Sequence, residues 1–214
     1  MQKTCMIEKM AFPEPESSFE SGNMEYEIEV YLKGFDFEQI RSMASSHEGQ
    51  EQWGAYIPKS DNNASFGSLR VRKTIHPDGE SEYEFCTKTD GGPNGKVEEP
   101  DPVRPAQLEQ FKLFCDQGLI KTRYKVPGKF EDGVEFVWEI DLFTNKRGEL
   151  VDWAKIDIEL KEPRPGGLNV SEIPFTHEEV LVITPEEKAE GTGKHKDQIK
   201  ELYEKYFRTD NVYV

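Results

Sequence analysis

The sequence predicts an α+β protein built on an antiparallel sheet or barrel, with helices only in the connections. Seven or eight segments alternate apolar and polar residues with period 2. Most follow one another across short turns of hairpin type. Helical spacing of apolar residues is confined to a few short connecting stretches.

The first strand is Met24–Lys33. Tyr26, Ile28, Val30 and Leu32 fall on one side; Glu25, Glu27, Glu29, Tyr31 and Lys33 fall on the other. Successive carboxylates on one face lie about 7 Å apart and repel each other. A cation is expected to face them: a metal ion, basic strands, or both. Gly34 ends the strand, and Asp36 caps a short helix to about Ser46, with Gln39 at capping-box spacing.

Gln52–Ile57 reads as a second strand and Pro58–Ala64 as a turn. Phe66–Ile75 and Glu82–Thr89 form a hairpin across His76-Pro-Asp-Gly. Its polar face carries Arg70, Arg72 and Lys88. Lys96–Glu99 is a short strand after a Gly-rich turn that lacks Walker spacing. Pro105 opens a helix that Gly118 closes. Leu119–Val126 places Lys121, Arg123 and Lys125 on one face. Gly133–Phe143 sets Val134, Phe136, Trp138, Ile140 and Leu142 against Glu135, Glu139 and Asp141. Leu150–Lys161 sets Ala154, Ile156, Ile158 and Leu160 against Lys155, Asp157 and Glu159. An irregular strand is expected near Val180–Ile183, and Ile199, Leu202, Tyr203 and Tyr206 space as a helix to about Phe207.

Hydrophobic residues make up 35% of the 214 and charged residues 32%, so the core is lean and the charges need partners or water. A formal charge of −15 disfavours duplex nucleic acid and anionic membranes, which select cations. No apolar run reaches membrane-spanning length, and Met1–Met10 has no secretory h-region. Cys5, Cys86 and Cys115 form neither a disulfide framework nor a zinc knuckle, so a cytoplasmic location is expected.

The charged faces allow two readings. One is a wet outer surface, usual for antiparallel sheets. The other rests on sign: whole strand faces are acidic or basic, as if lining two sides of one cavity. A carboxylate cluster without His or Cys suits Mg²⁺ or Mn²⁺. Opposed Arg and Lys suit phosphate oxygens, and together these parts serve phosphoryl transfer.

Glu27-Ile-Glu29 resembles the start of the Glu-x-Glu-x-Lys signature of the CYTH, or triphosphate tunnel metalloenzyme, superfamily. Arg70-Val-Arg72, Thr87-Lys88, Lys121-Thr-Arg123, Ile140-Asp141 and Asp157-Ile-Glu159-Leu160 are similar, in order, to its later strands. The resemblance covers about two-thirds of the chain. It implies a closed eight-stranded antiparallel β-barrel, a charged tunnel, over 24–185. Residues 1–23 would be an N-terminal tail, and 186–214 a segment whose helix packs on the barrel. It also implies a metal-dependent triphosphatase acting on inorganic, nucleoside or thiamine triphosphate. Glu27, Glu29, Asp141, Asp157 and Glu159 would hold Mg²⁺ or Mn²⁺. Arg70, Arg72, Lys88, Lys121 and Arg123 would grip phosphates, and Glu27, Glu29, Lys88 and Arg123 would be catalytic.

Tyr31 departs from the family pattern, which has lysine there; Lys33, one step further on the same face, is the candidate substitute. That departure favours an alternative, a nucleotide- or polyphosphate-binding protein without turnover; a class IV-type adenylyl cyclase is another. The expected partner is a small triphosphate, with neither duplex nucleic acid nor membrane, on a monomer or homodimer.

Overall fold

The computed structural model describes residues 26–56, 66–90, 96–115, 117–145, 147–160, 168–183, 187 and 195–210. The expected 1–23 tail lies outside these residues. So do the side chains of Glu27, Lys88 and Glu159, although their backbones belong to described strands.

Tyr26–Lys33 forms β1 with the face alternation read from its sequence. Gly34 ends it at φ +62°, a conformation that favours glycine, and donates to Asp152 O at 3.2 Å. Asp36 then caps α1, Phe37–Met43, by accepting from the backbone N–H of Glu38 and Gln39. The reciprocal half of the capping box is absent, because the Gln39 amide is engaged elsewhere. It donates to Pro174 O (3.1 Å) and accepts from Thr176 N (2.8 Å), which ties α1 to residues 174–176.

The second strand starts earlier than its sequence suggests: β2 is Ser46–Tyr56. Helix α1 stops at Met43, and Ser45 donates both its N–H and its hydroxyl to Lys125 O, which starts the pairing of β2 with β6. Strands β3 (Phe66–Ile75) and β4 (Ser81–Asp90) form the expected hairpin, and β5 runs Lys96–Pro102. Helix α2 is Pro105–Lys112. Gly118 does not close it but lies in β6, Gln117–Lys129, beneath the Trp53 ring. A Cβ there would stand 2.7 Å from the ring. Strands β7 (Glu135–Thr144), β8 (Leu150–Leu160) and β9 (Glu179–Ile183) follow. Helix α3, Lys196–Leu202, widens into a π turn over Tyr203–Phe207 before β10, Arg208–Asp210.

All strand pairs are antiparallel, in the order β5-β4-β3-β2-β6-β7-β8-β1-β9, and β10 pairs the start of β6. This corrects the expected closed eight-stranded barrel. Among the described residues nine strands follow one path and a tenth joins it, and β5 and β9 are its two ends. Pro100 and Pro102 in β5 lack the N–H that another strand would need, which suits an edge. The sheet nevertheless curls, since residues from β2 through β8 line one cavity.

Three apolar clusters hold this shape. On the convex face, Ile28, Val30, Val126, Trp138, Ile140, Ile156 and Ile158 pack with Ile40 of α1 and Phe175. Each buried aliphatic or aromatic side chain there contributes about 1.5–3 kcal/mol. Helix α2 covers Trp53 and Val71 at the β2–β3 end. The third cluster lies on the charged face. Ile199, Leu202 and Phe207 of the C-terminal helix pack with Tyr31, Phe143, Trp153, Leu181 and Ile183. They plug one end of the curled sheet with apolar side chains. Among the described residues no helix is long and apolar enough to cross a membrane.

Candidate functional site

The cavity encloses about 690 Å³ on the concave face. Its wall gathers Arg70, Arg72, Lys121, Arg123, Asp141 and Asp157 from the sequence-derived candidates. It also holds Lys125, Lys155, Glu48, Glu84 and Glu139, so six cations meet five carboxylates. That near balance stands out in a chain of net charge −15.

Sheet order explains the zoning. Arg70 and Arg72 lie on β3, and Lys121, Arg123 and Lys125 on β6. Between them β2 presents Gln50 and Gln52. On the other side of β6 come β7 with Glu139 and Asp141, β8 with Lys155 and Asp157, then β1 with Glu29. Signs therefore segregate in part across the sheet, with Glu48 and Glu84 on the basic side and Lys155 on the acidic side as exceptions. The strands do not simply face each other, however: β6 and β7 are neighbours, so their opposite charges pair on one wall. Asp141 accepts from Lys121 and, bidentately, from Arg123 (Nε 2.7 Å, Nη2 2.9 Å). Arg123 also donates to Glu139 at 2.5 Å and stands 3.6 Å from Asp157.

Burial raises the Asp141 pKa, but Lys121 and Arg123 outweigh it and hold the carboxyl below its usual range. Burial dominates at Lys121: with Arg123 and Lys155 nearby it outweighs Asp141 and brings the ammonium to about 8. Two results follow. Anion binding should weaken as pH rises through about 8, because Lys121 loses its charge; titrating tripolyphosphate affinity over this range checks it. Stability should move the other way. Between about 8 and the unfolded lysine value of about 10.4 the unfolded chain binds more protons, so this group's contribution rises with pH. Denaturant melts across that window test the sign.

The acidic side is not open. Lys155 donates to both Asp157 oxygens (2.5 and 2.8 Å) and stands 3.7 Å from Glu29. Glu29 is buried and accepts from the Tyr31 hydroxyl at 3.0 Å. Burial drives the Tyr31 pKa far above its usual value, so this phenol is a permanent donor. Lys33 does not reach the cavity wall. Beside Trp153, it donates to Glu179 at 2.5 Å. The register pairs Glu29 with Asp157 and Glu27 with Glu159, two residues further along β1 and β8. Among the described residues no three His, Cys, Asp or Glu side chains converge as a metal site.

On the basic side, Arg70 and Arg72 both approach Glu84 Oε1, at 3.4 and 2.7 Å. Arg72 Nε is buried with no hydrogen-bond partner among the described residues. Gln52 donates to Gln50 (3.0 Å) and Gln50 to Glu48 (2.6 Å), an amide ladder between the two basic strands. Sequence reasoning missed Gln50, Gln52, Lys155 and Tyr203. Gln50 and Gln52 alternate with Glu51 and Trp53 once β2 begins at Ser46. Lys155 has a plainer signal, because it shares the parity of Asp157 in β8.

No family model matches the chain, and no curated protein matches it. Among solved structures, the crystal structure of the hypothetical protein NE1496 aligns with 64% of this chain and 75% of its own, at 19% identity and a TM-score of 0.36.

Proposed function

We propose that the protein binds a triphosphate-containing small molecule in the curled sheet and hydrolyses it with a divalent metal, in the manner of the CYTH enzymes its motifs resemble. One observation supports this above the others. Arg70, Arg72, Lys121 and Arg123, from strands that are not neighbours, line one cavity with Asp157. Arginine forks and ammonium groups in a confined space match phosphate oxygens. The carboxylates offer only oxygen donors, which suits Mg²⁺ or Mn²⁺. Asp157 on the cavity wall would hold the ion together with Glu29, which is buried beside Lys155 and is not among the lining residues, and Glu27 and Glu159 follow in the register. Asp141 fits less well, since Lys121 and the Arg123 fork both claim its oxygens, whereas Asp157 is hydrogen-bonded by Lys155 with Arg123 at 3.6 Å. A bound ion would supply Lewis-acid polarisation of the phosphoryl group and a water of lowered pKa.

The chain's own side chains do the rest of the work. Arg123 is fixed by Asp141 and Glu139 and presents a guanidinium of set orientation. Lys121 stands beside it on β6, and Gln50 and Gln52 space the two basic strands. The apolar plug covers one end of the concave face.

Phosphate release from tripolyphosphate, ATP and thiamine triphosphate with Mg²⁺ or Mn²⁺, alongside thermal shifts with the same ligands, tests the reading. Release should require metal and stop with EDTA; undiminished release in metal-free buffer would remove the metal from it. A second reading, binding without turnover, is favoured by Tyr31, whose hydroxyl is spent on Glu29, and by Lys33, turned to Glu179. Stabilisation without release supports that one. A cyclic nucleotide product from ATP would instead indicate a cyclase.

Arg72 offers a sharper test of location. Its Nε is a buried donor awaiting an acceptor. Arg72→Ala should weaken tripolyphosphate binding at least about tenfold, the value of one charge-assisted contact. Arg72→Lys should recover part, because an ammonium lacks the fork. An equal small effect on monophosphate and triphosphate would place Arg72 on an ordinary surface.

A further inference from the structure

The acidic side of the cavity already contains a cation. Lys155 Nζ sits between Asp157 and Glu29, with only 12% of its side chain exposed. The same side chain lines the cavity. Its cross-strand partners are Tyr31 on β1, which is uncharged, and Asp141 on β7, whose oxygens Lys121 and Arg123 already take; the other lysine on that face of β1, Lys33, is held by Glu179. Among the described residues Lys155 is therefore the cation closest to Glu29 and Asp157, nearer to Asp157 than Arg123 is at 3.6 Å.

Its chemistry differs from that of Arg123. The guanidinium is fixed by a bidentate fork and two further carboxylates. An ammonium on a four-carbon stem is a point charge that can turn by rotamer changes without moving the backbone. If a divalent ion neutralises Glu29 and Asp157, Lys155 loses the attraction of the two carboxylates it contacts, and Asp141 across β7 is already paired with Lys121 and Arg123. The nearest new anion would be a phosphate oxygen in the same cavity.

We propose that Lys155 is an exchangeable cation: it neutralises Glu29 and Asp157 in the ligand-free protein and turns to a phosphate oxygen of the substrate when a divalent ion takes those carboxylates. This rests on the triphosphate reading given above. It makes metal and polyphosphate binding mutually supportive, because metal frees the lysine that phosphate uses.

The test is calorimetry on the full chain, with Mn²⁺ alone and with tripolyphosphate in the presence and absence of Mg²⁺. Wild type, Lys155→Gln and Lys155→Arg are compared, with exposed Lys129→Gln as control. Lys155→Gln removes the competing cation, so Mn²⁺ alone should bind more tightly, by about fivefold or more. Tripolyphosphate with Mg²⁺ should bind at least about tenfold more weakly, for loss of a charge-assisted contact. Lys155→Arg keeps the charge and so the fold, but its fork should lock onto Asp157. Mg²⁺ should then improve its tripolyphosphate affinity less than it does in wild type. If wild type binds tripolyphosphate with Mg²⁺ and both variants match it, Lys155 is a fixed structural partner and the proposal fails alone. If wild type does not bind tripolyphosphate, the triphosphate reading fails and takes the exchange with it.

Discussion

Arg123→Ala should cost about 3–5 kcal/mol of stability, the usual penalty for breaking a buried ion pair from one side. Arg123 gives Asp141 two hydrogen bonds and Glu139 one, and it approaches Asp157. Asp141 is 1% exposed. Without the guanidinium, Asp141 would keep Lys121 and Glu139 would keep Lys125 at 3.5 Å as their cations among the described residues. Uncompensated charge would then remain on largely buried carboxylates. The same variant should lose polyphosphate binding by more than Arg72→Ala does, because both the contact and the alignment of β6 with β7 go. Arg123→Lys should restore part of the stability, since one ammonium cannot serve three carboxylates. Urea melts at neutral pH and binding titrations measure both terms. A stability loss under about 1 kcal/mol would mean the network is solvated, and the confined-cavity account would fall.

Phe207→Ala should be of similar size, about 3–5 kcal/mol, for a different reason. Phe207 is fully buried. Its ring stacks on Phe143 at 4.0 Å and faces Tyr31 at 6.4 Å, with Tyr203 edge-on at 5.2 Å. Removing it leaves a hole between β1, β7 and the C-terminal helix. That helix holds Tyr203 at the cavity and feeds β10 onto β6. The variant should therefore loosen the floor of the site as well as the fold. Tripolyphosphate affinity should fall, although Phe207 itself does not line the cavity. Phe207→Leu, which refills most of the volume, should recover much of both. If Phe207→Ala melted like wild type, the C-terminal segment would be an ornament on the sheet and not its plug.

Much of the molecule was readable from residue order. Period-2 alternation assigned the faces of β1, β3, β4, β6, β7 and β8, because a strand offers only two sides. The residues on each polar face followed with them, and six of those candidates now share a cavity wall. Asp36 marked the start of α1, and His76-Pro-Asp-Gly marked the β3–β4 turn. These signals are local, and local sterics and capping enforce them.

Other features depend on neighbours that alternation cannot name. Parity placed Lys33 on the charged face, but its position beside Trp153 and Glu179 takes it away from the cavity. Parity said nothing of which strand lies next to β6, so the pairing of Arg123 with Asp141 was hidden until β7 was seen to adjoin it. Gly118 read as a helix stop because glycine often is one; the nearby Trp53 ring gives it another role in β6. The largest difference is closure. A run of alternating strands predicts a curled sheet equally well whether or not its ends meet. That outcome turns on the edge strands and on what fills the concave face. The sequence by itself determined which residues share a face and which sign each face carries. Only the tertiary structure decided that β5 and β9 stay apart, that a C-terminal helix plugs the charged side, and that Lys155 occupies the acidic wall. The physical reason is that side-chain direction is set within a strand, whereas strand order, curvature and charge pairing are set between them.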